Sequence, residues 1–257
     1  MSEQHLENVC DHISHECNAE LDVETPKVIY LETIRKRAEA EGKYIRQTGG
    51  MGNYAHVVLR LEPAEPGSGF QFCNEVEEGQ IPQKFIAPLT SGIQEAAKCG
   101  ILVGHEMVDL RAVLFGGSYH EEDSNEVAFK IAGSIAFKEA ALKALPVVLE
   151  PLMSVEFVVP EGNMDAVVRE LNNRRARIEN IEHYLGLQEV HAIVPLAEML
   201  QSSTHGQPGY SMQFARYEEI PRGEWFADGE AGVTAKRPKG PKPGSGSAFA
   251  KPDSDFE

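Results

Sequence analysis

The chain has 257 residues, 42% of them hydrophobic, and a formal net charge of -16. That length sustains one or two domains with their own cores, and no run approaches the roughly 18 to 20 apolar residues of a membrane-spanning helix, so no membrane partner is expected. The acidic balance argues against indiscriminate nucleic-acid binding, which runs on phosphate neutralisation, yet leaves room for RNA contact through a few uncharged or locally basic loops.

The first segment, Ser2 to Val23, reads as a helix and a strand. Leu6, Val9, Cys10, Ile13 and Cys17 fall on one helical face, and Ala19, Leu21 and Val23 then alternate as in a half-buried strand. A helix and one strand cannot bury a core, so this segment reads as the end of something larger, with a boundary at Thr25-Pro26. Its polar start carries no signal peptide. The four cysteines, Cys10, Cys17, Cys73 and Cys99, show no CxxC pairing and read as reduced, buried thiols of a cytosolic protein.

From Lys27 to about Pro146 strands and helices mix. Strands are predicted near Val28–Glu32, Glu39–Gln47, Ala55–Glu62, Gln71–Val76 and Met107–Phe115. Helices are predicted over Pro82–Lys98, where Pro82 suits a first turn, and over Ser124–Lys143. In the second helix Val127, Ile131, Ile135 and Leu142 share one face with Ala128 and further alanines, and Asp123 or Ser124 is placed to cap it. From Val148 to Tyr217 the order is strand Val155–Val159, helix Met164–Arg175, strands Ala176–His183 and Gln188–Pro195, a short second helix near Leu196–Ser203, and strand Tyr210–Tyr217. That is the βαββαβ order of a ferredoxin-like domain. Arg222 to Glu257 is too polar and rich in Gly and Pro to form a core and reads as a disordered tail whose six basic and six acidic residues cancel.

Two polar, glycine-rich loops stand out. The first holds Gly49, Gly50, Met51, Gly52, Asn53 and Tyr54; the second holds Ser118, Tyr119, His120, Asp123, Ser124 and Asn125. Gly49-Gly50-Met51-Gly52 is no phosphate cradle, because no helix follows it; a hairpin turn is the better reading. Cys10, His12, His15 and Cys17 do not converge as zinc requires, since the two histidines leave the apolar face of the helix; no metal is expected. Arg174 and Arg175, beside Arg177, suit either RNA phosphates or a solvated helix C-terminus. No Ser-His-Asp or Cys-His arrangement shows itself.

The order of motifs resembles bacterial translation elongation factor G. Leu6-Glu7-Asn8-Val9-Cys10-Asp11 is similar to the end of its domain III, Glu32-Thr33-Ile34-Arg35-Lys36 to the opening of domain IV, and Ile45 to His56 and Gly117-Ser118-Tyr119-His120 to the two tip loops of domain IV. Ala128-Phe129-Lys130-Ile131-Ala132-Gly133-Ser134 matches the helix that follows. Leu149-Glu150-Pro151-Leu152-Met153, Leu171-Asn172-Asn173-Arg174-Arg175 and Val194-Pro195-Leu196-Ala197-Glu198-Met199 are similar to domain V. The resemblance implies an α+β chain: a domain III remnant over 1–25, a domain IV like the second domain of ribosomal protein S5 (left-handed βαβ) over 26–147, a ferredoxin-like domain V over 148–221, and the tail over 222–257.

It further implies a ribosomal role in translocation, with the tip loops reaching rRNA and the tRNA–mRNA pair in the decoding site and His120 as a contact residue. GTP and magnesium belong to the family's G domain; no G-x-x-x-x-G-K-[ST] occurs in the 257 residues, so no cofactor and no GTPase activity are expected of this chain. Departures from the family's pattern are Met51 and Asn53 in place of Arg and Gln, Gly116 in place of Asp, Glu122 in place of an apolar residue, Pro208 in place of Arg, and six or seven residues fewer after Met199. Two alternatives accompany this reading: a truncated or split GTPase needing a separate G domain, and a non-ribosomal RNA-binding protein that reuses the fold.

Overall fold

The computed structural model describes residues 3–17, 27–48, 51–77, 79–184, 186–200 and 210–221. The strand expected at Ala19–Val23, the Thr25-Pro26 boundary, Gly49, Gly50, the end of the second domain V helix at Gln201–Ser203 and the tail lie outside these residues. Among the described residues the cysteines are not buried as expected: Cys17 and Cys99 are exposed and Cys73 is half-buried, the two exposed ones standing at helix ends. The elements run α1 (Glu3–Cys17), β1 (Leu31–Ile34), β2 (Ala38–Thr48), β3 (Met51–Pro63), β4 (Phe70–Asn74), α2 (Gln83–Cys99), β5 (Leu110–Ser118), α3 (Glu126–Lys143), β6 (Pro146–Pro160), α4 (Met164–Asn173), β7 (Arg177–Tyr184), β8 (Leu187–Pro195), α5 (Leu196–Leu200) and β9 (Tyr210–Glu219). Contacts divide the chain into two units, one built on Glu32–Val148 and one on Leu149–Glu219.

In the first unit, alternation along β3 sends Ala55, Val57, Leu59 and Leu61 to one face, where all are buried. β2 pairs antiparallel with β3 from Ala38 opposite Leu61 to Thr48 opposite Met51, the register of a hairpin. β5 pairs antiparallel with β3 and parallel with β4, giving the order β2-β3-β5-β4. A parallel pair needs a crossover, which α2 supplies.

The sequence expectation for α3 needs correction. Its buried face is Ala128, Phe129, Ala132, Gly133, Ala136, Phe137, Ala140 and Ala141, whereas Val127 is 64% and Leu142 48% exposed. Close approach decides this. A Cβ on Gly42 of β2 would lie 2.1 Å from the Ala132 carbonyl oxygen, and one on Gly92 of α2 would lie 2.1 Å from that of Lys130. Only small residues let backbones come so near, and Phe129, stacked on Phe85 with ring centroids 4.7 Å apart, fills the remaining volume.

The strand predicted at Val28–Glu32 forms three residues later, as β1, and places Glu32 inside. The fully buried Glu32 carboxylate accepts the backbone N–H groups of Ile101 (2.7 Å) and Leu102 (2.9 Å) at one oxygen. Its other oxygen takes those of Val103 (2.9 Å), Gly104 (3.1 Å) and His105 (3.2 Å). Five donors satisfy the charge without a cation. Gly100, at φ 64°, has no room for a Cβ: it would meet the His105 carbonyl oxygen at 2.1 Å.

In the second unit β6 pairs antiparallel with both β8 and β9, and β7 with β8. The order β9-β6-β8-β7, with α4 and α5 as the helical connections, is the ferredoxin-like βαββαβ arrangement. β6 starts at Pro146, nine residues before the predicted Val155. Val155, Leu171, Val190, Ala192, Val194 and Met199 form the core, with Met164 and Val167 packed against it. The second helix, α5, is described over five residues, Leu196–Leu200. On β9, Met212 opposite Val155 and Phe214 opposite Met153 stay 39% and 57% exposed.

Candidate functional site

The end of the β2–β3 hairpin and the β5–α3 connection, over 60 residues apart in sequence, are hydrogen bonded to each other. Tyr54 N–H donates to the Asp123 carbonyl oxygen at 2.8 Å, and Ser124 Oγ–H donates to the Tyr54 carbonyl oxygen at 2.7 Å. Gly52 N–H donates to Asp123 Oδ1 at 3.1 Å. A Cβ on Gly52 would lie 2.4 Å from that carboxylate, so the glycine is needed for close approach rather than for an unusual φ.

Asn125 joins the two loops to α3. Its Oδ1 accepts from Ala128 N–H at 2.8 Å as the helix N-cap, while its Nδ2 donates to Asn53 Oδ1 at 2.5 Å. The cap is therefore Asn125, not Asp123 or Ser124. Its extended backbone suits that position, whereas Ser124 is engaged by Tyr54 and by accepting the His120 N–H at 2.9 Å.

Tyr119 and His120 are exposed. His120 Nδ1 accepts the N–H groups of Glu122 (3.4 Å) and Asp123 (3.3 Å) and lies 3.5 Å from Asp123 Oδ2. One ring nitrogen thus braces the turn while the ring itself faces solvent. Glu121 and Glu122 flank it, both exposed. Such a surface does not attract phosphate by bulk charge; it can offer hydrogen-bond donors and flat rings. Of the predicted loop residues, Gly49 and Gly50 and the side chain of Met51 are not described, and the other nine gather at this junction.

A second arrangement was not read from the sequence. Glu41 Oε2 lies 3.0 Å from His56 Nε2, His56 Nδ1 lies 3.3 Å from Ser118 Oγ, and Ser118 Oγ lies 2.8 Å from Tyr54 Oη. Lys43 and His56 hold the Glu41 carboxyl below the usual carboxylate range. Tyr54 and His56 lie two residues apart on one face of β3, a visible signal; only the β3–β5 register, with His56 opposite Ser118, completes the group.

Arg174 and Arg175 stand in the second unit and are engaged with carboxylates. Arg175, at φ 54°, bonds Glu150 through both terminal nitrogens at 3.0 and 2.9 Å and Glu198 through Nε at 3.1 Å. Glu150 is only 4% exposed, so this pair is structural. Arg174 bonds the exposed Glu170 one turn away at 2.6 Å. Arg177 is the most exposed of the three and pairs with Glu218 at 3.2 Å.

No helix among the described residues is long and apolar enough to cross a membrane, and among them no group of three His, Cys, Asp or Glu side chains is placed to hold a metal. Comparison with known proteins places both units. Residues 26–145 match the family described as Elongation factor G, domain IV, and residues 147–224 match Elongation factor G C-terminus. A crystal structure of a protein from Thermus thermophilus is 40% identical, with a TM-score of 0.71 over 86% of this chain. The match covers 34% of that protein, so the chain spans about a third of its length. Two consecutive matches in the family's order, each seated on its own sheet, show that this chain belongs to the elongation factor G family and carries its domain IV and its C-terminal domain.

Proposed function

We propose that the chain is an elongation factor G-like C-terminal module that binds the ribosome in translation elongation, in the cytoplasm, and directs its domain IV tip at the decoding site. The observation that carries this is the junction of the two loops: Gly52, Asn53 and Tyr54 are hydrogen bonded to Asp123, Ser124 and Asn125. A preformed tip that exposes the rings of Tyr119 and His120, mounted on a packed sheet, suits contact with RNA inside a narrow cavity. Binding would be weaker than the family's, because Met51 cannot partner a phosphate. The chain acts by contact and hydrolyses no GTP, since its 257 residues hold no P-loop motif.

The fact that it spans 34% of the Thermus protein favours a second reading, in which a separate G domain supplies the GTP step.

Cosedimentation of the 257-residue chain with 70S particles and with small subunits at low salt, against a control protein of equal charge, tests the proposal. Specific recovery with the small subunit supports it. Recovery no greater than the control, at the ionic strength where charge contacts are strongest, would favour a non-ribosomal RNA as target. Micromolar binding of a fluorescent GTP analogue would overturn the second half.

A further inference from the structure

We infer that Glu41, His56, Ser118 and Tyr54 act together as positioning residues for the domain IV tip, and that Tyr54 serves the tip through this chain rather than by touching RNA. The inference rests on the reading of the tip as a contact surface. A carboxylate can only accept, so His56 Nε2 carries a proton and donates it to Glu41 (3.0 Å). In the neutral imidazole Nδ1 then accepts from Ser118 Oγ–H (3.3 Å), and Ser118 Oγ accepts from Tyr54 Oη–H (2.8 Å). With the imidazole neutral, the hydrogen bonds run one way, from the tip down to β2.

Tyr54 is where this chain meets both loops. Its hydroxyl is committed to Ser118, while its own N–H and C=O bond to Asp123 and Ser124. Fixing the phenol therefore fixes the peptide groups that hold the second loop. Glu41 stands opposite Val58, well down the hairpin from the rung that pairs Ile45 with Tyr54. From there the Glu41 side chain reaches Tyr54 through His56 and Ser118. Linked bonds of this kind polarise and order one another, and loss of any member loosens the rest.

The test is a double-mutant cycle on small-subunit binding with Tyr54→Phe and Glu41→Ala. Lys43→Ala serves as the control, because Lys43 pairs with Glu41 at 2.8 Å without joining the chain. Each single variant should weaken binding by roughly two- to tenfold, and the double variant should bind no worse than the weaker-binding single, since both break one chain. Ser118→Thr, which keeps the hydroxyl, should bind like the parent, and Lys43→Ala should change little. Fold-changes that multiply in the double variant, or a loss with Tyr54→Phe and none with Glu41→Ala, would overturn the inference and make Tyr54 a contact residue. If the parent chain binds no small subunit, the functional proposal fails on its own, and amide exchange decides the positioning role. Faster exchange of the Gly52 and Tyr54 N–H groups in both variants supports it; unchanged exchange overturns it.

Discussion

The two units solve the same problem, a sheet covered by helices, at different strengths. Among the described residues, the unit around β2–β5 gathers two dozen buried apolar residues into one cluster, whereas six form the buried cluster of the unit around β6–β9. In the first, alanines and glycines let α3 settle onto β2, and rigidity comes from close packing. In the second, Met212 and Phe214 on β9 remain exposed among the described residues, and the Glu150–Arg175–Glu198 cluster ties helix and strand together. The lesson is that the unit carrying the tip has the larger described core. Loops that must hold a shape are best mounted on such a scaffold.

The contrast breaks most readily at Gly42. Gly42→Ala would push α3 off β2, and urea unfolding should show a loss of roughly 3 kcal/mol or more; a neutral result would mean that close packing does not hold this unit. Next comes the ion cluster. Arg175→Ala leaves the buried Glu150 without its partner and should cost about 2 to 3 kcal/mol, less than a fully buried pair because Arg175 is 29% exposed. Arg174→Ala, facing the exposed Glu170, should cost under about 1 kcal/mol. Equal losses in thermal melts would erase the distinction between the two arginines.

Asn125→Ala removes the α3 cap and the bond to Asn53, with an expected loss of about 1 kcal/mol. Smallest is His120→Ala, within about 0.5 kcal/mol of the parent in stability because the ring is exposed, yet with reduced recovery on small subunits. A melting point lowered as far as in Asn125→Ala would instead make His120 a structural brace.

Much of this was legible in the residues. The strand runs predicted near Glu39–Gln47, Ala55–Glu62 and Tyr210–Tyr217 located β2, β3 and β9, the βαββαβ order identified the second unit, and the two glycine-rich loops marked the junction. What escaped has physical reasons. On α3, hydrophobicity pointed to Val127 and Leu142, but the helix chose its face by size, and a face made of alanine and glycine is a weak hydrophobic signal. The Glu41–His56–Ser118 group spans three strands, so its geometry exists only once register is set. Arg174 and Arg175 look alike as neighbours in sequence, and only burial of Glu150 separates their roles.

The Glu32 cradle carries a consequence for how this chain tolerates change. Five consecutive peptide groups, Ile101 to His105, donate their N–H groups to one carboxylate. The Ile101 side chain also packs against the core, but the bonds to Glu32 are made by the backbone and fix the spacing of the segment. A substitution scan should find Leu102 and Val103 more permissive than the core-packed Ile101, with proline accepted at none of the three, but a single deletion or insertion between Gly100 and Met107 would leave at least one donor out of reach of the carboxylate. In that stretch the length of the segment is heritable information as much as its spelling.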